Sequence, residues 1–153
     1  MKKNLSYFMR EQKEEIVKVP APENFRDENG NSLEMEIKVL SADTIRKINE
    51  NYRTRRIALD KSGHPYINGG EVVFQSESDN GKAFRHIIVE ALVYPDLKDK
   101  EMMDFYKCCD ITEMPLKVFS KQSEYDYVFR TVMTALGMLE NNEKSDELDE
   151  AKN

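Results

Sequence analysis

The sequence is poor in the residues that form cross-links and metal sites. Its two cysteines, Cys108 and Cys109, are adjacent, so a disulfide between them would be strained and could not join distant parts of the fold. The two histidines, His64 and His86, have no metal-ligand spacing to each other or to the cysteines. We therefore expect reduced thiols and no metal site.

Catalytic signatures are missing as well. The sequence has no G-x-S-x-G motif, no phosphate-binding loop and no dinucleotide-binding glycine pattern. No sequence pattern identifies a base that would activate a cysteine nucleophile. The sequence therefore predicts a protein that is not an enzyme and needs no cofactor.

Long apolar runs are also absent. Charged residues make up 34% of the chain, the mean hydropathy is −0.71, and no stretch approaches the roughly 20 apolar residues that cross a bilayer. The basic start at Lys2 and Lys3 is not followed by the apolar centre of a signal peptide. These features predict a cytoplasmic protein without a membrane segment.

Negative charge is concentrated near the C-terminal end. The formal net charge is −6, of which residues 140–153 contribute −4, so the rest of the chain carries only −2. A domain this close to neutral shows no long-range attraction for nucleic acid. Residues 140–153 are polar and lack aromatics, and such segments cannot bury enough surface to become ordered. We expect a single globular domain over residues 1–139 and a disordered acidic tail over residues 140–153.

Strand patterns occur in the first half of the chain. Residues 15–19 are rich in β-branched side chains and stop at Pro20, which cannot donate to a ladder. Apolar and charged residues alternate over residues 33–40, the period of a half-buried strand, and the turn residues 28–31 place it in a hairpin with residues 24–27.

Helical patterns dominate the second half. In the last helix large residues recur at i, i+3, i+4, i+7, i+8 and i+11, and these are Tyr125, Val128, Phe129, Val132, Met133 and Leu136. Gly137 ends that helix, and Ser120 or Ser123 starts it. The same spacing predicts a helix over residues 80–94, which ends before Pro95.

Shorter helices complete the expected set. Ser41 is expected to cap one helix, and Asp99 or Asp96 a second. Thr112 is expected to cap a third helix, in which Leu116 and Phe119 point inward. A further short helix is predicted before residue 13. Residues 61–78 predict a loop with one strand at residues 71–75. The expected fold is α+β and mostly helical, with a small N-terminal antiparallel hairpin or sheet packed on a C-terminal helical bundle.

Two features are candidates for binding. The basic patch of Arg53, Arg55 and Arg56 could contact phosphates, an acidic partner or the acidic tail, although a solvated face also explains it. On the last helix a second apolar stripe lies opposite the main one, formed by Tyr127, Thr131, Thr134 and Met138. A cluster of methionines could extend this surface, or could belong to a methionine-rich core.

Several motifs resemble one known family. They are VYPDLKDKE at residues 93–101, DFY at 104–106, DITEMPL at 110–116 and EY at 124–125. Together with the early hairpin they resemble the phage tail assembly chaperones of the XkdN-like type, found in PBSX-like prophages. The resemblance spans roughly residues 10–139.

The resemblance implies a non-enzymatic protein that binds the tape measure protein and keeps it soluble during tail morphogenesis. It also implies a second candidate partner, the tail tube protein, a place in the host cytoplasm, and absence from the finished tail. The candidate partner-binding residues are Met102, Met103, Tyr106, Met114, Leu116, Tyr127 and Met138. A homo-oligomer stays open, and the alternative function is a small regulatory protein that binds nucleic acid through its arginine cluster.

Overall fold

The computed structural model describes residues 2–140, so the segment expected to be an acidic tail lies outside the described residues from position 141 onward. The helices and strands are β1 (Ile16–Pro20), β2 (Glu34–Lys38), α1 (Ala42–Asn51), β3 (Arg53–Ile57), β4 (Ile67–Asn68), β5 (Glu71–Val72), β6 (Phe74–Ser78), α2 (Asn80–Ala91), β7 (Leu92–Tyr94), α3 (Lys100–Phe105), α4 (Met114–Val118) and α5 (Gln122–Ala135). Single 3₁₀ turns lie at Leu5–Phe8 and Ile111–Glu113. The mixed α+β class is confirmed.

The central sheet has the strand order β1-β2-β7, with antiparallel pairing throughout. Alternation in β2 is confirmed, because Met35 and Ile37 are buried while Glu34 and Lys38 are exposed. The hairpin predicted between residues 24–27 and β2 is wrong, because only one bridge forms there. The strand that pairs with β2 is β1, which a longer connection brings back alongside it.

Helix α2 passes through the middle of the core. Asp79 caps its start by accepting a hydrogen bond from the backbone N–H of Lys82, at 3.1 Å. The predicted helix over residues 80–94 is too long, since it ends at Ala91. The three residues before Pro95 are extended and form β7, the far edge of the sheet, through pairing with β2. Pro95 also disfavours the helical region at Tyr94, the residue that precedes it.

Helix α5 presents the predicted stripe to the core. Val128, Val132 and Met133 are fully buried, and the larger residues beside them pack against the core from its margin. The predicted serine cap is wrong: Lys121 holds the cap position, and its backbone N–H donates to the Glu124 carboxylate at 3.1 Å.

Gly137 ends α5 with a left-handed backbone, φ +76°, in which the N–H of Met138 donates to the carbonyl of Met133 at 2.8 Å. We expect Gly137→Ala to lower the free energy of unfolding by about 1 kcal/mol, because a Cβ disfavours this backbone region even where space is open. Urea denaturation measures the change. Gly81→Ala is the matched control, since Gly81 has an ordinary backbone in α2, and an equal loss in the control would contradict the argument.

The short helices partly follow the expected caps. Asp99 caps α3 as predicted, by accepting from the N–H of Met102. Thr112 does not cap the next helix. Instead the Asp110 carboxylate accepts from the hydroxyl and the N–H of Thr112 at 2.7 and 2.9 Å, and the hydroxyl bond is the main reason that the pKa of Asp110 is lowered. Phe119 is buried as expected, whereas Leu116 is 39% exposed, so its inward orientation was predicted wrongly.

Candidate functional site

An open groove of about 660 Å³ lies between strand β1 and helix α5. We call it the β1–α5 groove. Its lining residues are Val17, Val19, Ser123, Asp126, Tyr127, Arg130, Thr131, Thr134 and Ala135. Through Ser123 and Tyr127 it continues into a second space of about 450 Å³, which Pro20, Ala21, Pro22, Glu23, Asn24 and Glu124 complete. The groove therefore follows one side of α5 for most of the helix.

Tyr127 fixes the position of the groove wall. Its hydroxyl donates to the backbone carbonyl of Pro20 at 2.7 Å, across the gap between α5 and β1. The odd-numbered residues at the two ends of β1 bond to the β2 strand and its flanking residues: the carbonyl of Glu15 accepts from Val39, and the N–H of Ala21 donates to Leu33. Backbone groups alternate in direction along a strand, so those of Ile16, Lys18 and Pro20 point to the free edge of the sheet. Tyr127 thus occupies one acceptor of that edge and holds the helix beside it.

The charges of the groove lining are balanced, while the adjoining space is acidic. Asp126 and Arg130 line the β1–α5 groove, and Glu23 and Glu124 line the second space. Glu124 is buried, and Nδ2 of Asn24 donates to its carboxylate at 3.2 Å. The groove therefore combines apolar side chains from β1 and α5 with polar ones, and the acidic side chains of the second space lie at one end of it.

The methionine cluster is divided between core and margin. Met114 is fully buried, so it serves the fold. Met102, Met103, Tyr106 and Met138 are half-buried and pack against the core. A small apolar cavity of about 150 Å³ is lined by Met102 and Tyr106 together with Ala21, Phe25, Leu33, Glu34, Met35, Tyr94, Pro95, Val118 and Phe119. Of the candidate partner-binding residues, Tyr127 alone lines the β1–α5 groove; the role of the others in binding stays a prediction.

Residues 53–78 form an arm that the sequence did not reveal. In place of the expected loop with one strand, β3 pairs with β6, and the short pair β4–β5 lies nearer the tip. Because side chains alternate along β3, Arg53 and Arg55 share one face and Arg56 lies on the other. Arg55 stacks on the ring of Phe74, with Cζ 4.3 Å from the ring centre, and Nε of Arg56 lies 3.2 Å from a carboxylate oxygen of Glu77. The arginines therefore do not form one continuous basic patch.

Large apolar side chains are exposed along the arm. They are Ile57, Leu59, Tyr66, Ile67, Val72 and Phe74. Within residues 53–78 only Ala58 is buried. In a sequence, large apolar residues such as these are expected to lie in a core. Their presence among glycines and prolines therefore did not indicate an exposed arm.

The N-terminal segment is a second exposed apolar feature. The predicted helix is reduced to one 3₁₀ turn at Leu5–Phe8, and no residue of this turn is buried. The side chains of Tyr7 and Phe8 are 83% and 87% exposed, and those of Leu5 and Met9 are only slightly less so. In the chain as described, these four side chains have no core to pack against.

Reactive groups are dispersed over the described residues. Within residues 2–140 no group of three or more histidines, cysteines or carboxylates is placed to hold a metal ion. The thiols of Cys108 and Cys109 are unpaired. His86 Nδ1 shares a 2.7 Å hydrogen bond with the hydroxyl of Tyr52, whose pKa is raised mainly by burial. None of the helices in this part of the chain has the length and apolar character to cross a membrane.

The groove and the exposed apolar extensions are features of a protein that binds other polypeptides. Comparison with known sequences gives the family. Residues 5–152 match the family described as Phage XkdN-like tail assembly chaperone protein, TAC, and the chain belongs to that family. The resemblance seen in the motifs is thereby confirmed.

Two relatives come from Bacillus subtilis strain 168. The chain is 32% identical to the uncharacterized protein YqbN and 26% identical to the phage-like element PBSX protein XkdN, each over 124 residues, which are 80% of this chain and 76% of the relative. A crystal structure of YqbN has the same fold, with a TM-score of 0.67 and 25% identity, over 90% of this chain and 98% of that one.

Proposed function

We propose that this protein binds the tape measure protein of its phage tail in the β1–α5 groove and keeps it soluble while the tail assembles. The family supports a role in tail assembly, and the groove supports the mode of binding. From Ser123 to Ala135 the groove follows α5, which at 1.5 Å per residue is about 18 Å, or roughly three helical turns. This length suits one amphipathic helical segment of a partner.

The chemistry of the lining supports the same mode. Val17, Val19 and Ala135 offer an apolar floor for the buried stripe of a helix, while the threonine hydroxyls can rotate to meet different backbones. Asp126 in the groove and Glu23 in the adjoining space would favour basic residues beside that stripe. A soluble chaperone needs such a site, because an unassembled helical chain exposes apolar stripes that would otherwise aggregate.

The wider setting is part of the proposal. The tail tube protein is a second candidate partner, binding takes place in the host cytoplasm, and the chaperone is absent from the finished tail. Catalysis has no part in this function. The nucleic acid alternative loses support from the arm, where Arg56 pairs with Glu77 and Arg55 stacks on Phe74.

Co-expression with the long helical tail protein tests the proposal. We expect a complex that co-elutes in size-exclusion chromatography and persists at about 1 M salt. At this ionic strength surface charges are screened beyond about 3 Å, so a complex that persists is held mainly by apolar contacts. The partner alone should be insoluble. Tyr127→Asp should reduce recovery of the complex, with Phe105→Ser as a matched surface control, since Phe105 is exposed and lies outside the groove. A partner that is equally soluble alone and never co-elutes would contradict the proposal.

A further inference from the structure

The N-terminal segment and the β1–α5 groove are complementary in their apolar surfaces. The segment exposes Leu5, Tyr7, Phe8 and Met9, four large side chains within five positions. The groove is open and has an apolar floor at Val17, Val19 and Ala135. Exposed apolar groups in such a short run are unfavourable in water unless another surface covers them.

Their charges are complementary too. Residues 2–13 contain four basic side chains and one acidic side chain, a formal charge of +3, whereas residues 14–140 carry −6. The groove itself carries one carboxylate, Asp126, and one cation, Arg130, and the adjoining second space adds the carboxylates of Glu23 and Glu124. A basic, aromatic segment would therefore be attracted to this part of the body.

The path of the chain carries the segment away from its own groove. The β1–β2 ladder continues back to Glu15, whose carbonyl accepts from the N–H of Val39 at 2.9 Å. Residues 10–13 then line a space with residues 39–42, at the beginning of α1. The segment thus leaves on the β2 side of β1, whereas α5 and the groove lie on the other side. To enter its own groove the chain would have to reverse and cross β1; to enter the groove of another copy it would not.

We propose that two copies of this chain exchange their N-terminal segments, so that Leu5, Tyr7, Phe8 and Met9 of each copy occupy the β1–α5 groove of the other. Such a reciprocal exchange closes as a two-fold dimer with identical contacts on both sides. A Phe or Tyr side chain buries about 150–250 Å² when covered, so two exchanged segments approach the roughly 1,000 Å² that a specific interface needs. The dimer would cover the groove until a partner displaces the segments. Only this displacement by a partner rests on the proposed function; the exchange itself does not.

Sedimentation equilibrium of the purified full chain over a dilution series tests the exchange. We expect the unaltered protein to be a dimer that dissociates on dilution. The double variant Tyr7→Ser with Phe8→Ser should raise the dissociation constant at least tenfold, and Phe105→Ser, which also removes an exposed aromatic, should leave it unchanged. A monomer at every concentration, or a dimer that tolerates the double variant, would overturn the proposal.

Mixing two defective variants tests that the contact is exchanged between copies. Thr134→Trp fills the groove but keeps the segment, whereas the Tyr7 and Phe8 double variant keeps the groove. At a concentration where the unaltered protein is dimeric, each variant alone should be largely monomeric, while their equimolar mixture should form a heterodimer with one intact contact, weaker than the unaltered dimer. If Thr134→Trp alone dimerises normally, the segment does not use the groove and the proposal is wrong. These measurements need no tail protein, so their outcome is independent of whether tape measure binding holds.

Discussion

Ile88→Ala should lower the free energy of unfolding by about 2–5 kcal/mol, the usual cost of removing a large aliphatic side chain from a close-packed core. Ile88 lies on α2, is fully buried, and belongs to the hydrophobic cluster that joins the central sheet to the helices. Because α2 contacts α1, α4, α5 and the central sheet, we expect the cavity to be bordered by more than one element, so that no single movement fills it. Since domains are stable by only about 5–15 kcal/mol, this is a large fraction of the total.

Leu116→Ala is the matched control for this prediction. Both substitutions remove branched aliphatic atoms from a helical residue, but Leu116 is 39% exposed and lies outside the main cluster. We expect the control to cost less than about 1 kcal/mol. Urea denaturation of the two variants and the unaltered protein, followed by circular dichroism, gives both values. Equal losses would mean that α2 is not the centre of the core.

Sequence patterns predicted the parts of the fold that depend on nearby residues. The stripe of α5 covers three turns, and the alternation in β2 covers a whole strand, so each repeats often enough to identify its period. The predicted caps at Ser41 and Asp99 also follow local rules, because the side chain bonds to a backbone N–H three residues on.

The elements that were missed depend on partners far away in the chain. Strand β7 has only three residues, and its extended form is stabilised by pairing with Glu36 and Ile37 in β2. The arm is held by pairs such as Arg53 with Ser78, which span a region rich in glycine. No local period identifies either element, since pairing between short strands is decided by the tertiary structure.

The sequence predicted only one wall of the candidate site, the wall formed by α5. The second stripe of α5 predicted Tyr127, Thr131 and Thr134, and these three residues do lie beside an open groove. Val17 and Val19 form the facing wall, yet nothing in their sequence shows that β1 is an edge strand with its neighbour in the sheet on one side only. The role of Tyr127 in binding a partner stays a prediction, and that of Val17 and Val19 belongs to the proposed function.

Thr134→Trp is the substitution expected to have the largest effect on capture of the tail protein. Thr134 is exposed and lines the β1–α5 groove, so an indole there would occupy the space of a bound helix without disturbing the core. We expect the affinity for the partner to fall at least tenfold, which corresponds to about 1.4 kcal/mol. Titration of a soluble, labelled segment of the tail protein measures the change.

Gln122→Trp provides the control that makes this test specific. Gln122 is also exposed on α5, but it lies at the start of the helix and does not line the groove. An indole there adds the same apolar surface to the same helix, so both variants share any general tendency to aggregate or to bind apolar chains. Affinity that falls only in Thr134→Trp would place the partner in the groove. An equal fall in both variants would instead indicate a general effect of the added indole, and affinity unchanged in both would exclude this groove and direct attention to the exposed apolar residues of the arm.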